Sequence, residues 1–125
     1  LLGDEAALSS AMLEIAAPDG GLVAPLDPYI IGWEGSHRFL PNLSARIGRP
    51  LPRHPLTFPI GNMFWARTSV VRRMYDLFGP DYPWPNEPIP NDGTIFHAIE
   101  RLWPAASALC EKDTILIDAP GVMRV

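Results

Sequence analysis

Apolar residues return at helical intervals in three stretches of the chain, and short apolar bursts lie between them. In "DEAALSSAMLEIAA" (4–17), Ala7, Met12, Leu13 and Ile15 supply an apolar side behind Asp4, a plausible N-cap, and "PDGG" ends the helix. "LVAP" (22–25) reads as a short buried strand between Gly and Pro. Residues 26–56 read mostly as loop, with a short helix in "PNLSARIG" capped at Asn42 and stopped by Gly48. "LTFPIGNMFWARTS" (56–69) predicts two strand pieces joined at Pro59, Ile60 and Gly61. In "TSVVRRMYDLFG" (68–79), Val70, Val71, Met74, Leu77 and Phe78 form a stripe, Thr68 or Ser69 caps it, and Gly79 closes it. "PDYPWPNEPIPN" (80–91) is a loop, because each X-Pro step disfavours helix. A helix over 93–102 follows, restarts after Pro104, and leads to a last strand, "TILID" (114–118).

Helices alternating with short strands predict an α/β fold, with helices packed on a small mixed sheet. The strands are few, so the sheet is expected to be incomplete and to be finished by residues outside the chain or by another subunit. The opening "LLGDE" reads as an apolar strand end running into a helix cap. Residues 1–125 are therefore expected to be one domain or part of one.

Composition narrows the function. Hydrophobic residues make up 47%, enough for a core, and 15 prolines and 10 glycines cluster between the periodic segments. That distribution predicts ordered loops on a scaffold. A net charge of −4 and the absence of a like-charge run argue against nucleic acid as a partner. One cysteine, Cys110, excludes a disulfide framework and a cysteine-rich zinc site. No apolar run reaches the roughly 18 residues of a membrane span. The start lacks the basic and apolar regions of a signal peptide.

Candidate chemistry concentrates in "PNEPIPNDGTIFHAIERLWP" (85–104). Asp92 can cap the following helix by accepting from the Thr94 or Ile95 amide. A carboxylate so placed is also fixed and ionised, which suits a general base. Glu87 sits among Pro85, Pro88 and Pro90, which stiffen the loop, although loop carboxylates are commonly just solvated. Ile95, Ile99 and Leu102 form a core stripe, with His97 and Arg101 opposite. In "FPIGNMFWARTS", Asn62 can hydrogen-bond a ligand and Trp65 can line a site, while Phe64 reads as core. Arg67 can reach a phosphate or pair within the protein, the commoner outcome. Trp33, Glu34, His37, Arg38 and Asn42 form an aromatic and polar loop that a sugar ring could stack on, or an ordinary surface loop. His37 and His54 stand apart and make no metal site, and no nucleotide-binding glycine loop, nucleophile elbow or Asp-x-Asp pair is present.

Two motifs together carry a resemblance. Phe58, Pro59, Gly61, Met63, Phe64, Trp65 and Arg67, then Glu87, Asp92, Gly93, Thr94, His97, Ala98, Glu100 and Arg101, follow the pattern of the rhamnan synthesis protein F family. The order of the first helix, "GLVAP" and "LPNLSARIG" also fits. The resemblance implies a glycosyltransferase-like protein of bacterial surface-polysaccharide or lipopolysaccharide synthesis. It implies the acceptor-side half of an A-type nucleotide-sugar transferase fold, and a hexosyltransferase when full length. A donor-binding half with an Asp-x-Asp would precede this chain and hold a divalent metal, Mg or Mn. The implied partners are a nucleotide-sugar donor, such as deoxythymidine-diphospho-rhamnose, and a glycan acceptor. The implied location is cytoplasmic or peripheral at the inner membrane.

On that reading Asp92 is the first choice for the base that takes the acceptor proton, and Glu87 the second. Asn62, Trp65, Arg67 and His97 are the substrate-binding candidates, with His97 directed at a metal or diphosphate. Glu100 and Arg101 pair with neighbours and hold the helix. The rivals are a non-catalytic carbohydrate-binding or assembly module, with Trp33 and Trp65 as stacking platforms, and a scaffold piece without a ligand.

Overall fold

The computed structural model describes residues 4–27, 31–53 and 56–119. His54 and the strand end read at residues 1–3 lie outside them. Asp4 caps the first helix as expected: its carboxylate accepts from the Ala7 amide at 2.8 Å, satisfying one of the amides a helix start leaves unpaired. Helix α1 (Glu5–Ala16) differs from expectation in the side it buries. Ala7 and Ala11, one turn apart, face inward, while Leu13 is 74% exposed. The 3.6-residue period turns positions 12 and 13 away from the line through 7 and 11.

Strand β1 (Gly20–Pro25) is the centre of a three-stranded mixed sheet. It pairs antiparallel with β2 (Trp65–Ala66) and parallel with β3 (Asp113–Ile117). Helix α1 touches all three strands, and α3 (Thr68–Leu77) and α5 (Trp103–Leu109) pack on β1. Leu22, Val23 and Ala24 are consequently all buried, which is why the strand reads as a continuous apolar run. Among the described residues β2 and β3 are each paired on one side only, so the sheet is open.

The region read as loop is more regular than expected. A 3-10 helix (Glu34–Phe39) runs directly into α2 (Leu40–Ile47). Helix α2 therefore begins before Asn42 and takes no side-chain cap. Gly48 ends it, at φ 77°, a conformation that glycine adopts without a Cβ penalty. Leu40, Leu43 and Ile47 lie on its buried face. The two strand pieces expected over 56–69 shrink to a single bridge between Leu56 and Ile31, a 3-10 turn at Ile60–Asn62 and the two residues of β2.

Helix α3 buries Val70 and Met74, leaves Val71 exposed, and uses neither Thr68 nor Ser69 as its cap, since Arg67 holds that position. Helix α4 (Ile95–Glu100) is separated from α5 by a turn, and Pro104 sits in the first turn of α5. The main core gathers Leu43, Val70, Ala98, Leu102 and Trp33 between α2, α3, α4 and α5. No helix among the described residues is long and apolar enough to cross a membrane.

Candidate functional site

The site is built where the 3-10 helix meets the loop ahead of α4. Gly35 donates its amide to Asp92 Oδ2 at 3.2 Å, and Arg38 Nη2 donates to the Gly93 carbonyl at 2.8 Å. Two segments far apart in sequence are thus clasped. The approach is close: a Cβ on Gly35 would lie 3.0 Å from both Asp92 Oδ2 and Gly93 Cα. Gly93 itself has φ 75°, a left-handed turn that re-aims the chain into α4.

Asp92 is exposed, and its carboxyl is held below the usual carboxylate range. The Gly93 amide is the largest cause, partial desolvation opposes it, and the Gly35 amide and the charges of Arg101 and His97 add to the lowering. The carboxylate lies outside the clefts lined by Arg38–Arg53 and by Tyr75–Pro83.

Asp92 is not the helix cap that the sequence suggests. Thr94 occupies that position, and its hydroxyl meets His97 Nδ1 at 2.7 Å. The Thr94 amide also points at Nδ1, at 3.4 Å. An amide can only donate, so with this bond formed the neutral ring carries its proton on Nε2. The helix starts two residues later than expected because Gly93 turns left-handed, and Asp92 is released to tie the loop to Gly35.

Arg101 does not face outward. It is 8% exposed, its Nε donates to the Gly32 carbonyl at 2.8 Å, and its guanidinium lies 5.0 Å over the Phe58 ring. Glu100 accepts from the Gly61 amide and sits 3.8 Å from Arg101. Asn62 Oδ1 accepts from the Trp103 indole at 3.1 Å. These bonds fasten the Ile60–Asn62 turn to α4 and α5.

The other candidates are placed elsewhere. Trp65 is half-buried on β2 and lines a small cavity together with Ala7 and Ala11 of α1. Arg67 donates to the carbonyls of Gly20, Ile15 and Ala17 at 2.7–2.8 Å, an internal strut between α1, β1 and α3. Glu87 is exposed, with no hydrogen bond or ion pair among the described residues. Trp33, offered above as a stacking platform, is 1% exposed and donates its indole N–H to the Pro52 carbonyl. It is a core residue.

A different aromatic surface emerges instead. The Trp84 and Phe96 rings lie parallel, 5.3 Å apart at 5°, and Tyr82 and Phe78 continue the series. Phe96 is 38% exposed and adjoins His97. The sequence signal for it was an aromatic at every second position of "DYPWP", facing an aromatic in the next helix.

No three His, Cys, Asp or Glu side chains converge as metal ligands among the described residues. The carboxylates and imidazoles of this set do not by themselves fit a divalent cation.

Two curated proteins match the chain, both called "Uncharacterized protein WxcX", from two strains of Xanthomonas campestris pv. campestris. One is 36% identical over 87 residues, 67% of this chain. The other is 33% identical over 90 residues, 72% of this chain. The chain spans 12% of the length of either. No solved structure matches. The family model described as rhamnan synthesis protein F matches residues 47–108, from the end of α2 through most of α5. Through that segment, which holds the "FPIGNMFWAR" turn, the proline loop and the Asp92–His97 corner, the chain belongs to the rhamnan synthesis protein F family.

Proposed function

We propose that this chain works in polysaccharide biosynthesis, as the acceptor-side part of a glycosyltransferase that moves a sugar such as rhamnose from a nucleotide donor to a glycan hydroxyl. The observation that carries this reading is the Asp92 corner inside the family-matched segment. A solvent-open carboxylate is fixed in place, kept ionised, and set within electrostatic reach of His97. Such a group can take the proton of an acceptor hydroxyl as its oxygen bonds to the sugar carbon and the sugar–diphosphate bond breaks, the nucleoside diphosphate leaving with the bonding pair. The His97 Nε2–H adds a donor for a sugar oxygen, and the Phe96 and Trp84 rings offer a surface for the apolar face of a sugar. Glu87 is the second choice for the base. The donor is bound by parts of the protein other than these residues.

A second reading has an observation of its own. The hydrogen bonds to Asp92 come from main-chain amides, which also suits a purely structural tether in a glycan-binding module. Asp92→Asn in the intact protein separates the two, because the amide oxygen still accepts from Gly35 while the base is lost. Sugar transfer should fall by about a hundredfold or more, with donor binding and thermal midpoint nearly unchanged. Unchanged turnover removes Asp92 from the base role and supports the module.

A further inference from the structure

Between Gly35 and Tyr75 the chain holds seven arginines and not one Asp or Glu, whereas residues 76–100 hold five Asp or Glu and no Arg or Lys. The fold turns this change of sign along the chain into a change of sign across one surface, and α2 is the divide. Helix α2 buries Leu40, Leu43 and Ile47 and leaves Pro41, Asn42, Ala45 and Arg46 exposed. On one flank, Pro41, Ser44 and Ala45 line a cleft with Arg38, Arg49 and Arg53 and no carboxylate. On the other, Arg46 lines a cleft with Asp76, Asp81 and Tyr75.

Arg49, Arg53, Asp76 and Asp81 are all exposed, and none makes a hydrogen bond or ion pair with another described residue. Arg38 gives one donor to a carbonyl, so its charge too is unbalanced. Arg46 is turned onto its own chain, bonded to the Leu77 carbonyl and stacked on Phe78 and Tyr82. A helix is about 10 Å across, so the two patches do not neutralise each other within one molecule. A nucleic acid or other uniformly anionic surface would suit the basic flank and be repelled by Asp76 and Asp81. A partner that fits both flanks carries the same two patches in the opposite order.

A second copy does so under one symmetry. Rotation by half a turn about an axis along α2 exchanges the flanks and sets each basic wall against an acidic one. Rotation about an axis across α2 keeps the flanks and sets like against like, which is costly. The small Ala45 on the ridge of α2 lets the two helices approach closely. Tyr75, 60% exposed at the acidic flank, is of a residue type that anchors interfaces.

We propose that this face is an interface between two copies of the protein, with the α2 helices side by side in the same direction and Arg49 and Arg53 of each copy meeting Asp76 and Asp81 of the other. None of these residues has a role in the transferase reading, so the two proposals stand or fall separately.

Sedimentation of the intact protein tests it. The wild type should show a monomer–dimer equilibrium that stops at two copies and weakens at least tenfold as ionic strength rises from roughly 0.05 to 0.5 M. Arg49→Glu with Arg53→Glu makes both flanks acidic, and Asp76→Arg with Asp81→Arg makes both basic. Each variant, at an unchanged thermal midpoint, should self-associate at least tenfold more weakly, and an equimolar mixture of the two should recover the dimer. Glu14→Arg with Asp19→Arg, beside the opposite face of the sheet, should change it less than twofold. A wild type still monomeric at roughly 100 μM, growth beyond two copies, no loss in either variant, a mixture that stays monomeric, or an equal loss in the Glu14 and Asp19 pair would overturn the interface.

Discussion

At the scale of single residues, Asp92 shows why a side chain's neighbours in space matter more than its neighbours in sequence. The Asp-Gly-Thr order invites a capping role, yet the left-handed Gly93 hands the cap to Thr94 and sends the carboxylate to Gly35. The consequence is a titration. The folded carboxyl is lowered from 3.8, so its contribution to stability is fully present above the unfolded value and fades as pH falls through the lower folded one. Carbon NMR of the Asp92 carboxyl should give a midpoint below 3.8 in the folded protein, rising toward that value in urea. A folded midpoint at or above 3.8 would mean that the two amides do not hold it. His97 carries a parallel lesson: its Nδ1 belongs to Thr94, so Nε2 is the ring nitrogen left for a ligand.

At the scale of elements, the helices were legible and the strands less so. Helix α3 was readable because Val70, Met74 and Phe78 repeat at helical spacing over a long enough stretch. The end of α2 at Gly48 was readable because a left-handed stop needs glycine. What sequence could not show was which residues meet across long separations. Nothing in "GWEGSHR" announces that Gly35 and Arg38 reach the Asp92 loop, and nothing in "FWARTS" announces that Arg67 turns back to α1. For the same reason Trp33 read as a platform although it closes the core. Average charge likewise said nothing of position: α2 and its flanks bring Arg38, Arg49 and Arg53 to the walls of one cleft. The Arg67 strut makes a prediction of its own. Arg67→Met keeps the aliphatic stem but leaves three carbonyls at the α1–β1 corner without their donor. Discounted for its partial exposure, the loss should be about 2 kcal/mol, seen as a lower urea midpoint at unchanged slope. A change below a few tenths would show that water replaces the guanidinium freely.

At the scale of the whole molecule, the sheet sets an order of stability. β1 is paired on both sides and covered by α1, α3 and α5, whereas the segment 80–93 is largely exposed and has no regular structure. Amide exchange should therefore be slowest at Leu22, Val23 and Ala24 and fastest through the proline loop. Slow exchange in the loop, or a β1 no better protected than β3, would contradict the arrangement. The Asp92 corner then stands on a firm base and is reached through an exposed, proline-rich segment. It is also assembled from two stretches, and its clasp allows no side chain at Gly35 without displacing Asp92 or Gly93. Positions 35 and 93 are consequently a joint restriction on the residue alphabet. A relative that carries anything larger at 35 must move Asp92 or Gly93 by a few tenths of an ångström, so this pair of glycines offers a spelling rule for finding proteins that keep the corner intact.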